Sequence, residues 1–74
     1  MNKNRRKEIY KIIERLNDLK SDLESIRDDE QDYFDNMPEN LQGSIRGEES
    51  EEYIEYMEEA IEALNSSIEQ LEEI

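Results

Sequence analysis

The groups in this chain that could do chemistry are carboxylates. Ten of them crowd into residues 28–52: Asp28, Asp29, Glu30, Asp32, Asp35, Glu39, Glu48, Glu49, Glu51 and Glu52. Such a density fits three roles: a phosphate-like surface that occupies a nucleic-acid site on another protein, a weak Ca²⁺ or Mg²⁺ site, or a solvated acidic end. The calcium-loop spacing with its fixed glycine is absent, so no metal and no cofactor is expected. The chain has no histidine and no cysteine, which removes the usual general base near neutral pH, the commonest metal ligand and any thiolate nucleophile. No Ser/His/Asp set, phosphate loop or nucleotide fingerprint occurs, and no enzyme is expected. The complementary charges are few. Lys3, Arg5, Arg6 and Lys7 cluster near the N-terminus, and Arg46 stands alone. They suggest a second, different class of function, the holding of a small anionic nucleotide signal.

The elements that must position these groups follow from the breakers. The only proline, Pro38, and both glycines, Gly43 and Gly47, fall between residues 35 and 47. On either side lie long stretches with helical periodicity. Hydrophobic residues make up 34% of the chain and charged residues 42%, a balance that leans toward disorder. The spacing of the apolar residues argues otherwise. Ile9, Ile12, Leu16, Leu19, Leu23, Ile26, Tyr33 and Met37 recur at steps of three and four, a heptad rhythm interrupted only at Glu30. Ile13 and Phe34 widen that stripe. In the second segment Ile54, Met57, Ile61, Leu64, Ile68 and Leu71 keep the same rhythm, with Tyr53, Ala60 and Ile74 on the flank. The reading is a single all-α domain over 1–74: a helix at 4–35, a hinge at 36–47 and a helix at 48–73. Ser44 is the expected cap of the second helix and Ser50 a competing start. Glu30, close to the hinge, reads as a place where the first helix loosens.

Two helices joined by a short hinge pack antiparallel. Net charge is −13 and unevenly placed: residues 1–20 sum to +4, residues 21–35 to −6 and residues 48–74 to −11. The basic start of the first helix and the acidic end of the second (Glu69, Glu72, Glu73) are each the wrong sign for their own helix dipole, and antiparallel pairing would bring them together. The stripes are wider than a two-helix seam needs, so the hairpin is expected to dimerise into a four-helix bundle, its core drawn from Ile9, Ile12, Ile13, Leu16, Leu19, Leu23, Ile26 and Phe34 of the first helix and Tyr53, Ile54, Met57, Ile61, Leu64, Ile68 and Leu71 of the second. The strong negative charge disfavours direct contact with nucleic acid or an anionic membrane and favours a protein partner with a basic surface. The longest apolar runs are two residues, far short of a membrane span, and no signal-peptide pattern is seen; a cytoplasmic location is expected.

The hinge carries a further signal. Asp-Asn-Met-Pro-Glu-Asn-Leu-Gln-Gly-Ser at 35–44, followed by Arg46-Gly47-Glu48, resembles a group of short acidic helical proteins from bacteriophages, prophages and plasmids of Firmicutes. The likeness extends over nearly the whole chain, with Ile45 departing from the polar residue expected there. It carries over no active residues. It implies a mobile-element context, in which a small acidic protein would act by binding a host or phage protein, a defence enzyme among the candidates. On this reading the partner-contact residues are Asn36, Pro38, Glu39, Asn40, Gln42 and Arg46, with hinge capping as the alternative role for Asn36 and Pro38.

Overall fold

A computed structural model describes all of residues 1–74. The chain forms α1 (Lys3–Asp35), a single turn α2 (Glu39–Gln42) and α3 (Ile45–Glu72), with no strand. α1 and α3 lie side by side as an antiparallel hairpin measuring 58 × 15 × 13 Å. Its radius of gyration, 17.1 Å, exceeds the roughly 11 Å of a compact domain of this length. The molecule is a rod, and a rod of two helices has little interior. Only Ile54 and Ile68 are buried apolar side chains, at 7% and 4% exposure, and none is fully enclosed.

Local sequence sets the helix ends. Asn2 caps α1, its Oδ1 accepting the Arg5 N–H at 2.8 Å; this satisfies one of the amide groups that every helix start leaves open. No glycine or proline interrupts the 33 residues that follow. α1 closes at Asn36, whose backbone N–H and side-chain Nδ2 both donate to the Asp32 carbonyl, at 3.0 and 2.8 Å. Proline at 38 bars the residue before it from continuing the helix. Ser44 wins over Ser50 as the cap of the second helix: its Oγ accepts from the Gly47 N–H at 3.4 Å. α3 thus starts at Ile45 rather than at Glu48.

The seam differs from the reading of α1. Its inward positions are Ile9, Ile13, Leu16, Lys20, Leu23, Arg27, Glu30, Phe34 and Met37, all half-buried. Two heptad series compete on this helix. They share Ile9, Leu16, Leu23, Glu30 and Met37, and differ in whether 12, 19, 26 and 33 or 13, 20, 27 and 34 complete them. The structure takes the second, so Ile12, Leu19, Ile26 and Tyr33 face outward, and Leu19 and Ile26 are each 57% exposed. Polar residues tolerate the inner line for stated reasons. The Lys20 and Arg27 stems pack while their heads reach out, Lys20 Nζ donating to Asn65 Oδ1 at 3.2 Å and Arg27 pairing with Asp28 at 3.0 Å. Glu30 accepts a 2.7 Å bond from Ser50 Oγ across the seam. It is therefore a cross-helix contact, not a point of loosening, and α1 continues five residues beyond it. On α3 the seam follows the expected series, with Gly47 and Ser50 buried at its start. Tyr53, Ala60 and Ile74 are exposed on the flank.

Candidate functional site

The hinge is the most irregular part of the molecule, and its six singled-out residues divide into two sets. Three are spent on structure. Asn36 closes α1 as described. The Pro38 carbonyl accepts the Leu41 and Gln42 N–H groups at 2.8 and 3.2 Å, which makes the single turn α2. Gln42 is half-buried, and its Nε2 donates to the Phe34 and Met37 carbonyls, both at 3.3 Å. Gln42 thereby adds a donor from outside the helix to one carbonyl in the last turn of α1 and to one just beyond its end. Ser44 Oγ also donates to the Leu41 carbonyl. The other three, Glu39, Asn40 and Arg46, are exposed and make no side-chain hydrogen bond or ion pair. The hinge residues that can meet a partner without disturbing the turn are these three.

Gly47 decides how tightly the hinge closes. A Cβ built there would lie 2.0 Å from the Gln42 carbonyl oxygen and 2.8 Å from Gln42 Cα. In the sequence Gly47 reads only as one of the breakers that mark the hinge. Its role is to let the α2 backbone press on the first turn of α3, and the only advance signal was a glycine placed three residues after a capping serine.

Two shallow open depressions lie against the hinge, of about 240 and 270 Å³. The first is lined by Glu30, Tyr33, Arg46, Glu49, Ser50 and Tyr53, the second by Tyr33, Met37, Leu41, Ser44 and Arg46. Leu41 is exposed at the lip of the second. Arg46 is the one cation in either, and in the first it shares the walls with the Glu30 and Glu49 carboxylates. That lining opposes capture of a small anion, because the carboxylates offset the attraction of a single guanidinium.

Apart from the half-buried Glu30, the acidic groups around the hinge are exposed, and no three carboxylates converge closely enough to hold a metal ion. Tyr56 titrates under the influence of a neighbouring carboxylate. Its phenol is held above the usual tyrosine value, first because its O–H donates to Glu52 Oε1 at 2.6 Å and then because that carboxylate repels a phenolate. The N-terminal basic cluster and the acidic end of α3 share one end of the hairpin, yet no ion pair joins them; the single ion pair of the molecule is Arg27–Asp28. The two long, mobile side chains of each exposed pair lose more in ordering than they gain in water. No helix is long and apolar enough to cross a membrane. No family model, no curated protein and no solved structure matches the chain.

Proposed function

We propose that this chain is a small non-enzymatic interaction protein of phage or mobile-element type, which works as a dimer in the cytoplasm of a bacterial host and binds a host or phage protein through that protein's basic surface. The observation that carries the reading is the placement of charge. Residues 21–59, the hinge half of the rod, hold the whole net −13, while residues 1–20 and 60–74 together sum to zero. A concentrated field of one sign at the hinge attracts a basic surface. The exposed Glu39, Asn40 and Arg46 give that end features beyond charge, and the resemblance of the hinge string supplies the mobile-element context. Dimerisation into a four-helix bundle is part of the proposal: two buried apolar side chains are a small core for 74 residues, and short chains usually need further support of this kind.

The test is capture from a Firmicutes host lysate with tagged protein, read by mass spectrometry at low and high salt. Two variants are run beside the wild type: Glu48→Gln/Glu49→Gln/Glu51→Gln/Glu52→Gln, and Glu39→Ala/Asn40→Ala/Arg46→Ala, both at positions outside the seam. The expected result is one stoichiometric host protein, held at low salt, released at high salt and lost with the first variant while helicity is unchanged. A captured set indifferent to salt and to both variants overturns the proposal.

A further inference from the structure

Six of the eleven large apolar side chains that the seam leaves exposed fall in two regular series on one face. Ile12, Leu19, Ile26 and Tyr33 recur at seven-residue steps on α1, and Tyr53, Ala60, Ser67 and Ile74 do so on α3. Tyr33 and Tyr53 line the same depression, so the two series share a side of the hairpin. Antiparallel helices then set Ile26 at the height of Ala60, Leu19 at that of Ser67, and Ile12 at that of Ile74. The opposite side, at the same steps, holds Tyr10, Asn17, Glu24 and Gln31 on α1 and Glu51, Glu58 and Asn65 on α3. One face is mainly apolar; the other is polar and acidic apart from the exposed Tyr10.

We propose that the apolar face is covered by a second copy of this chain, laid face to face with the two hinges at opposite ends. This rests on the dimer put forward above and specifies its surface and its orientation. The first support is self-complementarity. Each series reads alike from both ends: on α1 the large Leu19 and Ile26 flank the midpoint, and on α3 the small Ala60 and Ser67 do. Turning one hairpin end over end sets Leu19 on the partner's Ile26, Ala60 on the partner's Ser67, and Ile12 on the partner's Tyr33. A two-fold contact needs a surface that matches itself in this way. The small residues let the two α3 helices approach closely, and the large ones fill the α1 side.

Charge selects the orientation. With hinges at opposite ends, the cluster of Lys3, Arg5, Arg6 and Lys7 in one copy lies beside the acidic hinge of the other. With hinges together, both copies of the −13 half would meet at one end, and like charges in register are repelled. Size is sufficient as well. A face of 58 × 15 Å covers about 870 Å² per copy, or about 1,700 Å² for the pair, within the range of stable specific interfaces. It has the expected layout of an apolar centre with a charged rim.

The test uses the absence of cysteine. In the proposed pair the two-fold axis passes between Leu19 and Ile26, beside the exposed Asp22, and between Ala60 and Ser67, beside the exposed Ala63. Asp22→Cys and Ala63→Cys are each oxidised at dilute protein concentration, with Lys7→Cys as the distant control. Mass in solution is measured by sedimentation equilibrium on the reduced proteins. The expected result is a dimer in which both central cysteines trap a covalent pair with themselves and the control does not. A dimer in which neither central cysteine is trapped overturns the orientation while self-association stands. A monomer at high concentration and high salt overturns both, and leaves the face to a helix of another protein.

Discussion

Replacing Gly47 by alanine sets two opposing effects against each other, and the structure says which is larger. Glycine inside a helix is worse than alanine by roughly 0.5–1 kcal/mol, so on propensity alone the change should stabilise α3. The added Cβ, however, would sit 2.0 Å from the Gln42 carbonyl oxygen, 2.5 Å from its carbonyl carbon and 2.8 Å from its Cα. All three are backbone atoms and none can rotate away. Relief requires α2 to lift from α3, which also strains the Gln42 bonds to Phe34 and Met37. Overpacking costs about 1–3 kcal/mol, and three unyielding backbone contacts under 3.0 Å put it at the upper end, about 2–3 kcal/mol, so the net change is about 1–2.5 kcal/mol of destabilisation. For a domain of this size that lowers Tm by about 4–20 °C. Gly43 is the internal control. Nothing lies within 4 Å of a Cβ placed there and its φ is −85°, so Gly43→Ala should be neutral or stabilising by up to about 1 kcal/mol. Thermal and urea unfolding followed by circular dichroism, at one fixed protein concentration because the proposed association would shift the midpoint, reads both. A Gly47→Ala variant at least as stable as the wild type would refute the close approach of α2 and α3.

Ser50→Ala removes the donor to Glu30 at a site only 2% exposed, and urea unfolding should show a loss of about 1–2 kcal/mol. Ile68→Ala should cost about 2–5 kcal/mol, which in so small a domain leaves much of the chain unfolded at room temperature by circular dichroism. Phenolate absorbance during alkaline titration should show Tyr56 ionising above the usual tyrosine range; Glu52→Gln should bring it back down, since the hydrogen bond to that carboxylate is the first cause of the shift. The sign follows from that shift: Tyr56 favours the folded state below the ordinary tyrosine range, and its contribution fades as pH rises through its elevated value.

The two long helices and the hinge between them were legible because their signals are local. Caps, breakers and periodicity lie within a few residues of what they determine. The seam of α3 was legible for a further reason, since only one series of apolar positions fits a heptad there. α1 holds two such series, and hydropathy favours Leu19 over Lys20 and Ile26 over Arg27 while the structure does the reverse. The stems of the basic residues pack well enough on the seam, and Glu30 finds its partner in Ser50, twenty residues away in sequence. That distance also explains why Glu30 read as a flaw. At the hinge the acidic density was plain, but the division of labour was not. Only geometry separates Gln42, which ties off α1, from Asn40, which projects into solvent.

The rod shape gives the charge asymmetry a mechanical meaning. A lone hairpin whose centre of negative charge is displaced toward one tip carries a permanent dipole, and a basic surface would rotate it into line before contact, so that encounters arrive hinge first. Two such rods laid head to tail cancel that dipole and become a body with two equivalent negative poles 58 Å apart at most. A molecule of that kind can no longer be steered by rotation, but it can bridge: each pole can take a basic surface of its own. The paired form would then act as a tether between two targets, or between two sites on one, rather than as a plug for a single site.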